Sequence, residues 1–127
     1  MTRRILVVDD NLEITELTRL TLEGGGFAVT VANDGVAGLE LAASGTFSLM
    51  LLDINMPGID GWAVLRRLHA EFGPRRLPVV LFSVRNGIHD KVHALQEGAY
   101  DYIEKPFSPA DLLARVERIL ASLEVAN

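Results

Sequence analysis

Five apolar runs recur along the chain and begin near residues 5, 28, 49, 79 and 100. Segments with helical periodicity lie between them, and the spacing of roughly 20 to 30 residues leaves room for one crossover helix per strand. The runs Ile5–Val8 and Leu49–Leu52 are apolar at every position, as expected for strands covered on both faces. The segment Ala28–Ala32 contains Thr30 and fits an edge strand. The pattern therefore predicts five βα units, an α/β fold with a doubly wound parallel sheet and right-handed crossovers.

The segments between the runs carry signals of helix ends. The positions where helices would begin hold side chains that cap helix N-termini, namely Asn11, Asp34, Asp60 and Ser108. Glycines at 24–26, 45, 73 and 98 would end the first four helices. The predicted apolar stripe of the first helix is Leu12, Thr15, Leu17, Leu20 and Leu22. That of the fifth helix is Leu112, Leu113, Val116, Ile119 and Leu120.

Polar side chains stand where the apolar runs end. Asp9 and Asp10 follow the first run, Asp53 the third, Ser83 the fourth and Lys105 the fifth. The carboxyl ends of parallel strands share one edge of a sheet, which is where ligands bind in open α/β folds. We therefore expect three carboxylates, a hydroxyl and an ammonium group to lie close together.

This set of side chains has a definite chemistry. Three ionised carboxylates within a few ångströms require either a counter-charge or a raised pKa. Mg²⁺ suits such a site, since it prefers one or two carboxylates together with water and phosphoryl oxygens. Lys105 supplies a compact positive charge, and Ser83 a hydroxyl that can donate to a phosphoryl oxygen. Aspartate can also act as a covalent nucleophile, so the set indicates phosphoryl transfer.

Composition narrows the class of protein further. The chain has 127 residues, which suits one domain, and a formal net charge of −5, which disfavours a nucleic-acid interface. It has no cysteine, so disulfides and thiolate metal sites are excluded. No signal peptide or membrane-spanning stretch is evident, and we expect a cytoplasmic protein without membrane contact.

Four motifs together resemble the receiver domain of two-component response regulators, over essentially the whole chain. They are Val7–Asn11, Asp53–Gly61, Ser83 and Lys105–Phe107, in this order and each at a strand end. The resemblance implies the flavodoxin-like strand order 2-1-3-4-5. It also implies a phosphorelay function, with a sensor histidine kinase or phosphotransfer protein as donor and a downstream effector as partner.

The resemblance also assigns roles to residues. Asp53 would accept the phosphoryl group, while Asp10 and Asp53 would bind Mg²⁺ or Mn²⁺ directly, Asp9 through water and Asn55 through its main-chain carbonyl. Lys105 would pair with phosphoryl oxygens, and the Lys105–Pro106 bond would be cis. Ser83 would move to hydrogen-bond the phosphoryl group, Tyr102 would turn inward with it, and the surface around the fourth helix, fifth strand and fifth helix would change. The chain would then be a switch rather than an enzyme acting on a metabolite.

Three positions depart from the family pattern or are ones at which the family varies. Val84 stands where the family usually has a small residue, and its branched side chain would narrow access to Asp53. Asn55 and Arg85 occupy positions that commonly set the lifetime of the phosphoryl group. We hypothesise that Arg85 shields the phosphoryl group from water, in which case Arg85→Ala would change the dephosphorylation rate.

Two other functions stay open. One is a Mg²⁺-dependent phosphatase with an aspartate nucleophile, of the haloacid-dehalogenase type. Sequences of that type have an Asp-x-Asp motif directly after the first strand and a cap insertion, whereas here Asp9 and Asp10 are adjacent and no insertion is long enough for a cap. The other is a pseudo-receiver that binds partners without phosphorylation. We expect a single receiver domain over residues 1–127, with a core at about 3–122 and no visible effector region. A phosphorylation-dependent dimer is compatible with the sequence.

The pattern around two histidines and the tryptophan favours structural over catalytic or metal-binding roles. His89 and His93 lie four apart on the predicted fourth helix, but no further metal ligands accompany them. We interpret them as solvated side chains on the face that partners would bind. Trp62, near the start of the third helix, is interpreted as a packing residue.

Overall fold

The computed structural model describes residues 2–56, 58–73, 76–83 and 88–126, with backbone only at 88–90, 125 and 126. Strands and helices alternate along these residues. The strands are β1 (Arg4–Val8), β2 (Ala28–Ala32), β3 (Leu49–Asp53), β4 (Val79–Ser83) and β5 (Asp101–Glu104). The helices are α1 (Leu12–Gly24), α2 (Gly35–Ser44), α3 (Gly61–Phe72), α4 (Ile88–Gln96) and α5 (Pro109–Ala126). None of the helices in this described part is both long and apolar enough to cross a bilayer.

The five strands form one parallel sheet in the order β2-β1-β3-β4-β5. The predicted α/β class, strand order and flavodoxin-like arrangement are therefore confirmed. The predicted edge strand β2 does lie at an edge, where it pairs with β1 alone. The order reverses between β1 and β3, so the carboxyl ends of these two strands flank the switch point of the sheet.

Alternate side chains of the central strands enter two separate cores, because successive strand residues point to opposite faces. One core contains Leu6, Val8, Met50 and Leu52 with residues of α2, α3 and α4. The other contains Ile5, Val7, Leu49 and Leu51 with residues of α1 and α5. This two-sided burial explains why the central runs are apolar at every position.

The predicted N-terminal caps are present. The side chains of Asn11, Asp34 and Asp60 each accept a backbone N–H from the first turn of the helix that follows. Ser108 Oγ accepts the N–H of Asp111 at the start of α5. Each of these bonds satisfies a donor that the helix itself leaves unpaired. The chain therefore turns from a strand end into a helix at fixed positions, which helps to place the side chains at the sheet edge.

The predicted stripe of α1 is wrong in three of its five residues. Leu12, Leu17 and Leu20 are exposed, and the buried face consists of Thr15, Thr18 and Leu22. The buried residues are spaced by three and four, so they share one helical face, whereas Leu17 and Leu20 point away from it. In contrast, the stripe of α5 is confirmed: Leu112, Val116, Ile119 and Leu120 are buried, and Leu113 is partly buried.

Candidate functional site

The polar residues of the strand ends come together at the carboxyl edge of the sheet. Asp9 follows β1, and Asp53 is the last residue of the neighbouring strand β3. Both side chains are buried, whereas Asp10 is exposed. One carboxylate oxygen from each of the three residues lies within 4.8 Å of the others. The structure therefore forms the acidic cluster that the strand ends predicted.

The two buried carboxylates are held in the same way. The N–H of Asn11 donates to Asp9 Oδ1 at 2.9 Å, and the N–H of Asn55 donates to Asp53 Oδ1 at 3.0 Å. Each bond spans two residues, so the chain turns immediately after each strand and orients the carboxylate at the turn. Asn55 thus supports the acidic cluster through its N–H. Its role as a carbonyl ligand stays a prediction.

Asn33 is a supporting residue that the sequence reasoning missed. Its side-chain amide donates to the carbonyl oxygen of Asp9 at 3.1 Å and so links the end of β2 to the end of β1. Its position could have indicated this role, since Asn33 directly follows the second apolar run and so lies at the same edge of the sheet as Asp9. It was overlooked because its partner is a backbone group, which no motif of polar side chains reveals.

Lys105 supplies the positive charge of the site. Its Nζ donates to Asp9 Oδ2 at 2.7 Å and lies 3.7 Å from Asp53 Oδ1. The Lys105 side chain is only 9% exposed, so these ion pairs are poorly screened by water. The Lys105–Pro106 peptide bond is cis, as expected. The backbone N–H of Lys105 also donates to the Ser83 carbonyl at 2.6 Å, which joins the ends of β4 and β5.

Asp53 has an unusual proton affinity. The pKa of Asp53 is raised from an ordinary value of 3.8 to about 6, chiefly because the carboxylate is buried and in part because of the charge of Asp9. The Asn55 N–H bond and the charge of Lys105 act in the opposite direction, but they do not cancel the cost of burial. A single lysine therefore does not compensate the negative charge of three carboxylates. The cluster combines an excess of negative charge with hard oxygen donors, and both suit a divalent cation.

Gly61 allows the loop after β3 to fold back under Asp53. A Cβ atom at this position would lie 2.4 Å from the Ile54 Cα and 2.5 Å from the Asp53 carbonyl oxygen. Both contacts are with backbone, so they cannot be relieved by a side-chain rotation. The first residue of α3 therefore has to be glycine for the end of β3 to keep its position.

Ser83 and Tyr102 lie on the neighbouring strands. Ser83 is buried at the end of β4 beside Glu104, and Tyr102 is buried in β5 beside Leu81. Tyr102 packs with the core on the α3 and α4 side of the sheet. Val84, Arg85 and Pro57 lie outside the described residues, so the predicted roles of Val84 and Arg85 stay predictions.

The sequence also matches a family model. Residues 5–117 match the response regulator receiver domain. The chain belongs to this family. Receiver domains are parts of two-component signalling systems, and this establishes the general function of the chain. The predicted family membership is thereby confirmed.

Known proteins are similar to the chain in sequence and in fold. An uncharacterized transcriptional regulatory protein, YkoG of Bacillus subtilis, is 44% identical over 116 residues, which are 91% of this chain and 50% of that protein. A CheY-like receiver domain from Methanospirillum hungatei superposes with a TM-score of 0.90 at 30% identity and covers 100% of both chains. The receiver domain of DrrB, in a structure described as BeF3-activated, superposes with a TM-score of 0.82 at 28% identity and covers 95% of this chain and 99% of that one. The chain spans about half the length of the curated regulators it matches.

Proposed function

We propose that Asp53 accepts a phosphoryl group from a phosphohistidine on a sensor histidine kinase or a phosphotransfer protein. The observation that carries the proposal is the contact of Lys105 with the buried carboxylates of Asp9 and Asp53, beside exposed Asp10, in a receiver domain. The cluster offers a nucleophile, a partly buried ammonium group and a set of hard oxygen ligands at one edge of the sheet. These are the parts that phosphoryl transfer needs, since the protein mainly positions the group and stabilises its charge.

The transfer is a displacement at phosphorus. Asp53 Oδ1 accepts the Asn55 N–H and faces Lys105, so Oδ2 is the attacking oxygen in this proposal. A new O–P bond forms as the P–N bond of phosphohistidine breaks, and the departing imidazole keeps the electron pair and takes a proton from solvent. Lys105 balances negative charge on the transferred group, for which it gives up part of its contact with Asp9. The phosphoryl group is removed by hydrolysis, in which water attacks phosphorus, the bond to Asp53 breaks and inorganic phosphate is released.

The acidic cluster would hold Mg²⁺ or Mn²⁺ through the carboxylates of Asp10 and Asp53, with Asp9 acting through water and Asn55 through its carbonyl. When bound, the cation neutralises charge on the phosphoryl oxygens as a Lewis acid. The donor set supports this assignment, because it consists of carboxylate oxygens with no nitrogen or sulfur ligand among the described residues. The raised pKa of Asp53 supports it as well, since a cation would favour the ionised, nucleophilic form.

Phosphorylation would switch the surface around α4, β5 and α5. The product adds roughly 1.5 to 2 negative charges beside the ends of β3 and β4. Ser83 would donate its hydroxyl to the phosphoryl group, and Tyr102 would turn inward behind it. A downstream effector would read the changed surface, and a phosphorylation-dependent dimer would be one form of output. In this proposal the domain turns over its own phosphoryl group and processes no metabolite.

Arg85 and Val84 would set the rates of this cycle. We propose that Arg85 shields the phosphoryl group from water and that Val84 narrows the approach to Asp53. Arg85→Ala would then change the rate of phosphate release without preventing uptake. An unchanged rate would remove Arg85 from the proposal while leaving the role of Asp53 intact.

The test uses a small phosphodonor and a phosphoryl mimic. The protein is incubated with Mg²⁺ and acetyl phosphate, and phosphate uptake is read by intact mass. Binding of beryllofluoride is measured in parallel, since a related receiver domain is described as activated by it. We expect one phosphoryl group per chain, which is lost in Asp53→Asn and retained in the control Asp60→Asn, an exposed carboxylate that caps α3.

Other results would favour the alternatives. Multiple turnover of varied phosphate esters would indicate a phosphatase of the haloacid-dehalogenase type. Absence of any uptake or beryllofluoride binding, in the presence of Mg²⁺ or Mn²⁺, would indicate a pseudo-receiver. Uptake that persists in Asp53→Asn would place the acceptor at another residue.

A further inference from the structure

Helix α4 buries little apolar surface over residues 91–96, the part of the helix whose side chains are described. Among the side chains described in this helix, only Ala94 is buried, whereas Val92 and Leu95 are 45% and 50% exposed. Neighbouring α3 is different, since Gly61, Val64, Leu65 and Leu68 are all buried. A helical segment that buries one small side chain gains little from the hydrophobic effect. Contacts at its edge can therefore have a large influence on its position.

Such a contact exists between α3 and α4. The imidazole of His93 meets the indole of Trp62 edge to face, with ring centroids 4.2 Å apart and planes at 85°. Trp62 is partly buried and packs against the core beneath α3, so its ring has a firm support. His93 was interpreted from the sequence as solvated, but this ring contact gives it a structural partner on another helix.

Two charged residues surround the ring contact. Glu97 Oε1, just beyond the end of α4, lies 3.6 Å from His93 Nε2 and 3.5 Å from Arg66 Nη1 of α3. We call Trp62, Arg66, His93 and Glu97 the α3–α4 clasp. The ion pair of Arg66 and Glu97 is exposed and long, and such pairs contribute little to stability. The ring contact is therefore the main part of the clasp, since edge-to-face pairs contribute more than exposed ion pairs of this kind.

We propose that the α3–α4 clasp holds α4 in its unphosphorylated position and so sets the threshold at which occupation of Asp53 moves this helix. The inference rests on the proposed phosphoacceptor function. Ser83 ends β4, and α4 begins at Ile88, so a displacement of Ser83 toward Asp53 is passed to α4 through a short connection. If α4 moves, His93 leaves Trp62. The clasp then favours the unoccupied state, and a ligand must overcome this difference to shift the two-state equilibrium.

The size of the effect can be bounded. Aromatic pairs of this geometry favour contact by an amount that corresponds to roughly a two- to tenfold change in an equilibrium constant. Removing the His93 ring should therefore lower the concentration of beryllofluoride that half-saturates Asp53 by about two- to tenfold. Trp62 is the only tryptophan in the chain, so its fluorescence reports the state of the clasp directly.

The experiment follows two signals in the whole chain with Mg²⁺ present. Fluorine NMR of bound beryllofluoride reports occupation of Asp53, and the emission of Trp62 reports the clasp. In the wild type we expect both signals to change at the same beryllofluoride concentration. In His93→Ala we expect Trp62 emission to resemble that of the occupied wild type before any ligand is added, and half-saturation to require about two- to tenfold less beryllofluoride.

Two control variants separate the ring contact from other effects. Val92→Ala lies on the same helix and, like His93→Ala, replaces a weaker helix former by alanine, so it should saturate like the wild type. His93→Phe keeps an edge-to-face ring but removes the imidazole, and it should also remain close to the wild type. A shift in Val92→Ala equal to that of His93→Ala would overturn the proposal, because helix propensity would then explain both.

The outcomes also separate the clasp from the underlying function. If beryllofluoride binds and Trp62 emission does not change, or if His93→Ala saturates at the wild-type concentration, the clasp does not oppose the switch and the inference is wrong. If no beryllofluoride or acetyl phosphate labels Asp53 in the wild type, the proposed phosphoacceptor function itself fails.

Discussion

Lys105 lies closer to Asp9 than to Asp53. Its Nζ is 2.7 Å from Asp9 Oδ2 and 3.7 Å from Asp53 Oδ1, and both carboxylates are buried. The Lys105 ammonium group thus compensates the charge of Asp9, which the proposal assigns to metal binding through water. It also lies close to Asp53, the proposed phosphoryl acceptor. Lys105 therefore has a structural role in the unmodified domain, which can be measured separately from its proposed role in phosphoryl transfer.

Removal of Lys105 should destabilise the domain in a pH-dependent way. Lys105→Met leaves two buried carboxylates without their cation, and we expect a loss of about 3 kcal/mol in the free energy of unfolding at pH 7. The loss should be smaller at pH 5, where Asp53 can take up a proton, because its pKa is about 6. Urea unfolding in metal-free buffer at the two pH values measures both quantities. An equal loss at both would show that the Lys105 charge does not act through Asp53.

Replacement of Asp53 should stabilise the domain at neutral pH. The folded-state pKa of about 6 exceeds the ordinary value of 3.8, so the folded protein binds the Asp53 proton more tightly than the unfolded chain does. Stability from this group is complete below about pH 4 and is lost as pH rises toward 6. Asp53→Asn lacks the titrating group and should be more stable than the wild type by on the order of 1–3 kcal/mol at pH 7, with the difference falling toward pH 4.

Urea midpoints between pH 4 and 8, with EDTA present, provide the measurement for Asp53→Asn. The exposed neighbour Asp10 provides a matched control, because Asp10→Asn changes a carboxylate of the same cluster without the cost of burial. A gain in stability for Asp53→Asn that is the same at pH 4 and pH 7 would contradict the assignment of the raised pKa to Asp53.

A side chain at position 61 should disturb the site through the backbone. The Cβ of Gly61→Ala would meet the Ile54 Cα and the Asp53 carbonyl oxygen at 2.4 and 2.5 Å. We expect a loss of roughly 1–3 kcal/mol in the free energy of unfolding, as for other overpacked sites, together with slower labelling by acetyl phosphate. Gly24→Ala is the control: apart from the adjacent residues and the backbone of its own helix, no heavy atom lies within 4 Å of its Cβ, and it should stabilise α1 by about 0.5–1 kcal/mol. A neutral Gly61→Ala would show that the loop after β3 can relax.

The two faces of α1 should respond differently to truncation. Leu22 is fully buried, and Leu22→Ala should reduce the free energy of unfolding by about 2–5 kcal/mol. Leu20 is 56% exposed, and Leu20→Ala should change it by less than about 0.5 kcal/mol. Thermal or urea unfolding of the two variants tests the assignment of faces directly. Similar losses in both would mean that Leu20 is packed in solution.

Much of the fold could be predicted because its signals are local. The central strands contain uninterrupted apolar runs, namely Ile5–Val8, Leu49–Leu52 and Val79–Phe82. Each of the caps Asn11, Asp34 and Asp60 bonds an N–H only three residues away. The predicted apolar stripe of α1 was wrong because it also relied on a local pattern. Thr18 is buried although the predicted stripe left it out, while three leucines of that stripe are exposed. Which face of a helix is buried depends on the strands beside it, and composition does not contain that information.

The amino-acid sequence by itself determined which side chains can meet at the sheet edge, because parallel strands bring their carboxyl ends together and the apolar runs end at Asp9, Asp53, Ser83 and Lys105. Only the tertiary structure decided how these groups interact. It pairs Lys105 with Asp9 and raises the pKa of Asp53, since both effects depend on distances and burial between residues far apart in the chain. It also brings His93 to Trp62, because a contact between two helices depends on how both pack on the sheet.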